Sequence, residues 1–232
     1  MTSKTSSTDI QLDFRGDQQQ IAVISLNRAA KRNALNDGLI LALRGIFENL
    51  PATVRAAVIQ GQGNHFCAGL DLGELKERDA GQGLHHSRMW HAALERVQFG
   101  PVPVIAALHG AVVGGGGSVR IPKLVGVACM TDMMLTGRVY NAQEGERAGF
   151  AQYLVPEGKA FDKALELATR VAQNAPLTNY ALMHALPRIA EQPADQGYLT
   201  EALMAAIAQS APEAKQRVKA FLSGKADKVA RS

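Results

Sequence analysis

The spacing of apolar residues along the first half of the chain predicts a small β-sheet. Residues 10–14 alternate between apolar and polar side chains, and residues 21–26 are apolar and rich in β-branched side chains. Gly16 stands between these two runs, so a β-hairpin is expected. Residues 56–61 and 103–108 are short apolar runs, which are typical of buried strands.

Helical spacing dominates the rest of the chain. Apolar residues recur at intervals of three and four in 38–50, where Asn36 or Asp37 can serve as the N-cap, and again in 84–99. From Pro122 onward the pattern is almost entirely helical. The main helices predicted there are residues 141–148, 159–172, 177–190, 199–210 and 213–222. This order of elements indicates an α/β fold with an α-helical C-terminal region.

Two further features concern the organisation of the chain. Residues 78–83 are polar and rich in glycine, so a mobile loop is expected there, after a helical turn at 72–76. Because the strands lie in the first part of the chain, we assign residues 1–155 to the α/β core. Residues 156–232 are assigned to a C-terminal helical region.

Composition narrows the class of protein. Cys67 and Cys129 are too few for a disulfide framework in 232 residues, which favours a reducing, cytoplasmic environment. The N-terminal residues are polar and lack the apolar core of a secretion signal, and the apolar stretch 102–113 is too short to span a membrane. The formal charge of +4, without clustered basic and aromatic residues, argues against nucleic acid as a partner. No spacing of His, Cys and Asp suits a metal ion.

Backbone amides are the first candidates for chemistry. Residues 64–72 (NHFCAGLDL) lie between a predicted strand and a predicted helical turn, and such a turn leaves N–H groups free to point at one spot. The glycines that follow residue 113 stand after the 103–108 strand in the same way. Two such turns can aim their amides at one carbonyl oxygen and hold a developing oxyanion. A left-handed turn capped by Asp71 is the structural alternative for the first segment.

Several motifs, taken in their order along the chain, carry a resemblance to a known family. They are residues 26–36 (LNRAAKRNALN), 65–72 (HFCAGLDL), 103–116 (PVIAALHGAVVGGG) and the stretch from 134–138 (MLTGR) to the helix at 142–150. Together they resemble the enoyl-CoA hydratase/isomerase (crotonase) superfamily, whose two oxyanion turns the second and third motifs match. The resemblance extends from about residue 9 to residue 228.

The resemblance implies both a fold and a substrate. The fold is a spiral of ββα units with C-terminal helices that build a homotrimer, often a dimer of trimers. The substrate is an acyl-CoA thioester, with no separate cofactor, and its carbonyl lies between the backbone amides of Leu70 and Gly115. By motif position, the residues that contact CoA are Lys31, Ala34, Ala68, Asp71 and Leu72, together with the C-terminal aromatic residue Phe221.

One part of the family pattern is missing from this chain. In the family, a helix, a strand and a Pro-Glu loop separate the glycine turn from a second glycine turn. Here Gly114–Gly116 resembles the first turn, and residues 117–122 (GSVRIP) resemble the second and follow it directly. We therefore predict that one unit of about thirty residues is absent. The resemblance then implies that both catalytic glutamates of the hydratases are absent, with Ser118 standing in the first position.

Other residues could supply the missing acid or base. Glu74 is the candidate by position, one turn beyond the first oxyanion motif. The other residues considered are expected to be solvated or structural, and they are Glu77, Glu144, Glu146, His65, His85, His86, His91 and His109.

Three functions stay open at this point. The first is hydration or double-bond isomerisation of an enoyl-CoA through a thioester enolate. The second is a catalytically impaired acyl-CoA binder or assembly subunit, and the third is an acyl-CoA thioesterase. Each large apolar side chain uncovered by the missing unit would cost ~1.5–3 kcal/mol, so a weakened fold is expected unless subunits cover the gap.

Overall fold

A computed structural model describes residues 9–113 and 117–224 of the chain. In these residues one sheet has the strand order β1 (Ile10–Arg15), β2 (Ile21–Leu26), β3 (Ala56–Gly61) and β4 (Val104–Ala107). The pair β1–β2 is antiparallel, which confirms the hairpin, and β2–β3 and β3–β4 are parallel. Parallel neighbours need crossover connections, and helices supply them here.

Helices fill most of the remaining described sequence. Helix α1 (Asp37–Glu48) connects β2 to β3, and α2 (Ala80–Gln98) connects β3 to β4. The C-terminal part contains α3 (Gly117–Val125), α4 (Val127–Thr136), α5 (Ala142–Ala148), α6 (Ala160–Ala172), α7 (Pro176–Ile189), α8 (Ala194–Ser210) and α9 (Pro212–Leu222). Single 3₁₀ turns occur at Ala29–Lys31 and Leu72–Glu74. The α/β class with a helical C-terminal region is therefore confirmed.

A second extended segment follows each of the parallel strands. Leu35, after β2, forms a parallel bridge with Leu70, which comes after β3. Cys67, also after β3, forms a parallel bridge with Val112, which comes after β4. Strand, extended segment and helix thus succeed one another in each turn of the chain, which is the ββα order expected from the resemblance.

Helices cover both faces of the sheet because side chains alternate along each strand. Ile24 and its neighbours of the same parity pack with Ile40 of α1 and with residues of α2. Val23 and Val58 point the other way and pack against Ala168 of α6. The sheet is therefore the middle of three layers, and its central strands are buried on both faces.

Strand β4 is less buried than its sequence predicts. Val104 and Ile105 are partly exposed and Ala106 is exposed, whereas β3 is buried along nearly its whole length. No described strand pairs with the far side of β4, so it forms an edge of the sheet. The prediction of a buried strand at residues 103–108 is therefore right in its location and wrong in its burial.

The mobile loop expected at residues 78–83 is a helix start in its second half. Helix α2 begins at Ala80, and Asp79 is its N-cap. The Asp79 carboxylate accepts from the Gln82 N–H at 2.8 Å, and the Gln82 side-chain oxygen accepts from the Asp79 N–H at 3.2 Å. This capping box satisfies two N–H groups and stabilises the helix start despite the glycines nearby.

The glycine turn expected at residues 117–122 is also a helix. Helix α3 begins at Gly117 and contains Pro122, which removes one hydrogen-bond donor from it. Neither α3 nor α4 has a buried residue, so both lie on the surface of the chain.

Candidate functional site

A cleft of about 420 Å³ opens between the N-terminus of α1, the turn after β3 and the first turns of α2. The residues that line it are Asn36, Asp37, Leu70, Asp71, Gly73, Glu74, Leu75, Lys76, Arg78 and His86. Three predicted site residues are among them, Leu70, Asp71 and Glu74. Since parallel strands carry their connecting loops at the carboxyl edge, β2 and β3 bring these distant segments together.

The backbone of Leu70 faces away from its bridging partner. In this bridge the Leu35 N–H donates to the Gly69 carbonyl at 2.7 Å, and the Asp71 N–H donates to the Leu35 carbonyl at 2.8 Å. Residues in such a bridge alternate in direction, so the N–H of Leu70 points to the opposite side. Within the described residues nothing accepts a hydrogen bond from it. It is thus available to a ligand.

Glycine is required at the residue before Leu70. Gly69 has φ +84°, a backbone conformation that residues with a side chain rarely adopt. An added Cβ would also lie 2.8 Å from Cγ1 of Val113. The Val113 N–H also donates to the Cys67 carbonyl at 2.9 Å. The segment that leads into the glycine run therefore lies directly beside the first turn. Gly115, the second predicted amide donor, lies outside the described residues.

Asp71 is a buried structural anion as well as part of the cleft. Its carboxylate accepts from Lys31 Nζ at 3.1 Å, from Arg28 Nη2 at 2.9 Å and from the Gly73 N–H at 3.1 Å. The hydrogen bond from Lys31 is the main reason why the pKa of Asp71 lies below its usual value. The cap proposed for Asp71 is confirmed by its bond to Gly73.

The other predicted CoA-contacting residues fall into two groups. Ala34 and Ala68 lie in the connection around Arg28 and Arg32: the Ala34 carbonyl accepts from Arg28 Nη1, and the Ala68 N–H donates to the Arg32 carbonyl. Leu72 is exposed beside the cleft, and Phe221 is exposed in α9 and does not line it.

Arg28 joins three acidic residues and was not among the predicted site residues. Its guanidinium lies 3.2 Å from Asp9, 2.9 Å from Asp71 and 3.3 Å from Glu74, although only 10% of its side chain is exposed. A planar guanidinium with several donors suits such a meeting point. The signal in the sequence was its place inside the LNRAAKRNALN motif.

Asn33 joins the loop after β2 to the loop after β3, and it too was not among the predicted site residues. It is fully buried with φ +56°, and its amide donates to the Gln62 carbonyl at 2.9 Å and to the His65 carbonyl at 2.7 Å. Its side-chain oxygen accepts from the Arg28 N–H at 2.8 Å. Asn tolerates the left-handed region better than most residues, so an Asn in a turn was the available signal.

Asp37 receives hydrogen bonds from α2 at the mouth of the cleft. Its Oδ1 lies 2.6 Å from His86 Nε2 and 2.8 Å from Trp90 Nε1, and its Oδ2 lies 3.8 Å from Arg78. Burial alone would raise the pKa of Asp37, but the bonds from Trp90 and His86 outweigh it and leave the pKa lowered. The only trace in the sequence was the spacing of His86 and Trp90, which puts both on one face of a helix.

Two glutamates after the first motif, Glu74 and Glu77, were considered as acid–base candidates. Of these two, only Glu74 lines the cleft. Its Oε1 accepts from Asn36 Nδ2 at 2.8 Å and lies 3.3 Å from Arg28. Glu77 is exposed and does not line the cleft, and Ser118 is exposed at the start of α3.

The remaining acid–base candidates, other than His86, lie outside the cleft. His65 Nδ1 accepts from the Ala111 N–H at 3.1 Å, and His109 Nε2 lies 3.0 Å from the Gly63 carbonyl, so both connect loops. Glu144 completes a capping box with Asn141 at the start of α5. The candidates that neither line the cleft nor carry a described bond are His85, His91 and Glu146.

The described residues also bear on metal and membrane binding. Among them, no group of three or more His, Cys, Asp and Glu side chains is placed to hold a metal ion. None of the helices that the structure describes has the length and apolar character needed to cross a bilayer.

The match to a family model extends over most of the chain. The model described as enoyl-CoA hydratase/isomerase matches residues 16–121 and 116–227. The chain therefore belongs to the enoyl-CoA hydratase/isomerase (crotonase) family.

Individual relatives agree with this family. Two similar proteins carry the name "putative enoyl-CoA hydratase". One, from Thermus thermophilus, is 30% identical over 241 residues, covering 88% of this chain and 95% of its own. The other, from Rhodopseudomonas palustris, has a crystal structure with a TM-score of 0.89 at 49% identity, covering 97% of this chain and 98% of its own. The 2,3-dehydroadipyl-CoA hydratase of Escherichia coli is 27% identical, covering 88% of this chain and 93% of its own.

Proposed function

We propose that the chain binds an acyl-CoA thioester in the cleft and stabilises the enolate form of that thioester for hydration or double-bond isomerisation. The thioester oxygen accepts hydrogen bonds from the backbone amides of Leu70 and Gly115. The observation that carries this proposal is the Leu70 N–H, which points away from Leu35 and donates to nothing among the described residues. A fixed amide aimed at a developing negative charge is an effective catalytic device, since it needs no rearrangement during the reaction.

The position of Val113, the last described residue before the glycine run, supports the second amide. Val113 packs against Gly69 and bonds to Cys67, so the chain enters the glycines within reach of the Leu70 turn. CoA would then lie along the residues carried over from the family. One of them is Lys31, whose side chain is half exposed and pairs with Asp71 in the wall of the cleft. The phosphates of CoA are anionic, and the ammonium group of Lys31 is a suitable point charge for them.

We also infer that a unit between the two glycine-rich segments has been lost. The family model matches in two pieces that meet at residues 116–121. The alignment with the Thermus relative extends over 241 residues, more than the 232 of this entire chain, so that relative holds residues which this chain lacks. The exposed edge strand β4 is consistent with the loss of a neighbour.

Loss of this unit would remove both family glutamates, so two alternatives remain. The chain can be an acyl-CoA binder or assembly subunit with little turnover, or a thioesterase in which another residue activates water. Glu74 is placed at the cleft for such a role, but it already bonds Asn36 and lies beside Arg28.

Calorimetric titration of the full chain with crotonyl-CoA tests the proposal. Saturable binding followed by continuing reaction heat supports an enzyme, and binding without further heat supports the binder. Absence of binding would overturn the proposed function. Free CoA and Glu77→Gln serve as controls, and loss of turnover in Glu74→Gln alone would identify Glu74 as the acid–base group.

The role of the Leu70 amide can be tested on the backbone itself. Replacing the Leu70 amide by an ester removes the N–H and leaves the side chain in place. We expect turnover to fall by about 10²–10³-fold. The same replacement at Glu77, which is exposed and does not line the cleft, is the control and should leave turnover unchanged.

The oligomeric state implied by the family is a further part of this proposal. A homotrimer, or a dimer of such trimers, would cover apolar side chains that helices α7 to α9 expose, including Leu182, Leu186 and Leu203. Sedimentation equilibrium should give three or six times the mass of 24.8 kDa. A monomer at all concentrations would contradict it. A cytoplasmic location stays a prediction from the two cysteines.

A further inference from the structure

An Asp–His pair lies at the mouth of the cleft and has no role in the function described so far. Asp37 is the first residue of α1, and His86 is in the second turn of α2. Their side chains meet at 2.6 Å, between Oδ1 of Asp37 and Nε2 of His86. The two residues are 49 positions apart, so only the packing of α1 on α2 brings them together.

The surroundings of Asp37 determine which nitrogen of His86 carries the proton. An ionised carboxylate can only accept hydrogen bonds, so Nε2 must donate to it. Trp90 Nε1 donates to the same oxygen at 2.8 Å and helps to hold the carboxylate in place. In the neutral ring, Nδ1 then holds the lone pair, and no described residue donates a hydrogen bond to it. A histidine held in this way is prepared to accept a proton.

His86 lines the same cleft as Leu70, the residue whose amide would hold the substrate. This cavity has a volume of about 420 Å³, and 21% of the His86 side chain is exposed to solvent. The other two histidines of α2, His85 and His91, do not line the cleft. Glu74 does line it, but its carboxylate oxygen is bonded to Asn36.

We propose that His86 is the general base of this cleft and that Asp37 is its positioning residue; this rests on the proposed acyl-CoA function. Nδ1 of His86 removes a proton from the carbon α to the thioester. The electron pair of the broken C–H bond forms the enolate double bond, and the negative charge moves to the thioester oxygen at the Leu70 N–H. Return of the proton from His86 to carbon restores the thioester, so no other reactant is needed.

Proton exchange measures this step directly. The full chain is incubated with butyryl-CoA in D₂O, and the deuterium content of its α-carbon is followed by mass spectrometry, with binding measured by calorimetry. We expect exchange in the wild-type chain. In His86→Gln, exchange should fall by at least about 100-fold, while butyryl-CoA still binds. His85→Gln changes the adjacent exposed histidine and should exchange at the wild-type rate.

Two more variants separate a chemical role from a structural one. Added imidazole should restore exchange to His86→Ala, since a small base can enter the vacated space, and it should not affect the wild-type chain. Asp37→Asn should lower the exchange rate with unchanged binding, because the ring loses its fixed proton. If these variants fail to fold, ¹⁵N-histidine spectra of the wild-type chain must show His86 protonated on Nε2 and its Nδ1 signal shifted by butyryl-CoA.

The outcomes distinguish this inference from the proposed function. Binding without exchange in the wild-type chain overturns the role of His86 and leaves acyl-CoA binding intact. Normal exchange in His86→Gln, loss of binding in that variant, or protonation of His86 on Nδ1 would each overturn the role as well. Absence of butyryl-CoA and crotonyl-CoA binding to the wild-type chain overturns the proposed function and this inference with it.

Discussion

The two halves of the molecule bury their apolar side chains to very different degrees. Strands β2 and β3 are buried along almost their whole length, and large residues such as Ile24 and Ile40 are fully enclosed. In the helices after residue 117, the buried apolar residues are alanines, among them Ala164, Ala168 and Ala181. Large apolar side chains there are mostly exposed, such as Leu135 at 82%.

This difference distinguishes a core that one chain can bury by itself from an apolar surface that one chain leaves exposed. The sheet with α1, α2 and α6 encloses its own core, because helices cover both faces. The remaining C-terminal helices present apolar surface that the proposed subunit contacts would cover. The residues that line the cleft all belong to the first half, so the geometry of the cleft depends on the self-contained core.

The largest effect should come from removing a side chain in that core. Ile40 is fully buried in α1, so Ile40→Ala should lower the free energy of unfolding by about 2–5 kcal/mol through lost burial and a cavity. Urea denaturation followed by circular dichroism measures it. The neighbouring Leu41 is 46% exposed, and Leu41→Ala should cost less than about 1 kcal/mol. Equal effects would contradict the comparison.

The contact between the two halves should be the next most sensitive. Ala168 of α6 is fully buried against β2 and β3, so Ala168→Leu should destabilise by about 1–3 kcal/mol through overpacking. Ala205 of α8 is exposed, and Ala205→Leu is the matched control, expected to be nearly neutral. Thermal unfolding measures both variants. A neutral Ala168→Leu would mean that α6 does not pack tightly on the sheet.

Asn33 should show how much the loops below the cleft depend on one side chain. Asn33→Ala leaves the Gln62 and His65 carbonyls without their donor and puts alanine in a left-handed conformation. We expect a loss of about 1–3 kcal/mol in denaturant unfolding and weaker crotonyl-CoA binding. Asn64 is exposed in the loop that contains Gln62 and His65, and Asn64→Ala should change neither the stability nor the binding of crotonyl-CoA.

The smallest effect concerns pH. The folded-state pKa of Asp71 is below its ordinary value of 3.8, mainly through Lys31, so the unfolded chain binds more protons near that pH. The stability that Asp71 contributes is therefore complete above the unfolded pKa and is lost as the pH falls through 3.8 toward the folded pKa. Asp71→Asn should flatten this part of the stability curve in urea titrations at successive pH values. Asp17→Asn, at an exposed turn, should leave the curve unchanged.

Much of the first half could be predicted from the sequence. Period-two alternation in β1 and apolar runs at β2 and β3 give strands because such residues fit a buried sheet, and all three lie where expected. The start of α2 differs from the expected loop because the Asp79–Gln82 capping box stabilises a helix there despite the glycines at positions 81 and 83. The boundary at residue 155 stays a prediction, although α6 packs on the sheet.

The candidate site was predictable only in part. The turn before Leu70 was identified from small residues after a strand, and Glu74 from its distance to that turn. The roles of Arg28, Asn33 and Asp37 were not, because their partners are distant in sequence: Arg28 pairs with Asp71, Asn33 with His65, and Asp37 with His86. Only a folded chain shows which of several arginines or histidines lies within bonding distance.

The sequence by itself determined the family, the class of fold and the backbone turn at Leu70. These depend on local rules of spacing, side-chain shape and glycine dihedrals, which short segments express directly. Tertiary structure decided which side chains share the cleft, which acids are already paired, and which apolar faces stay open. Those properties depend on contacts between segments tens of residues apart, and the packing of α1, α2 and the sheet alone brings these segments together.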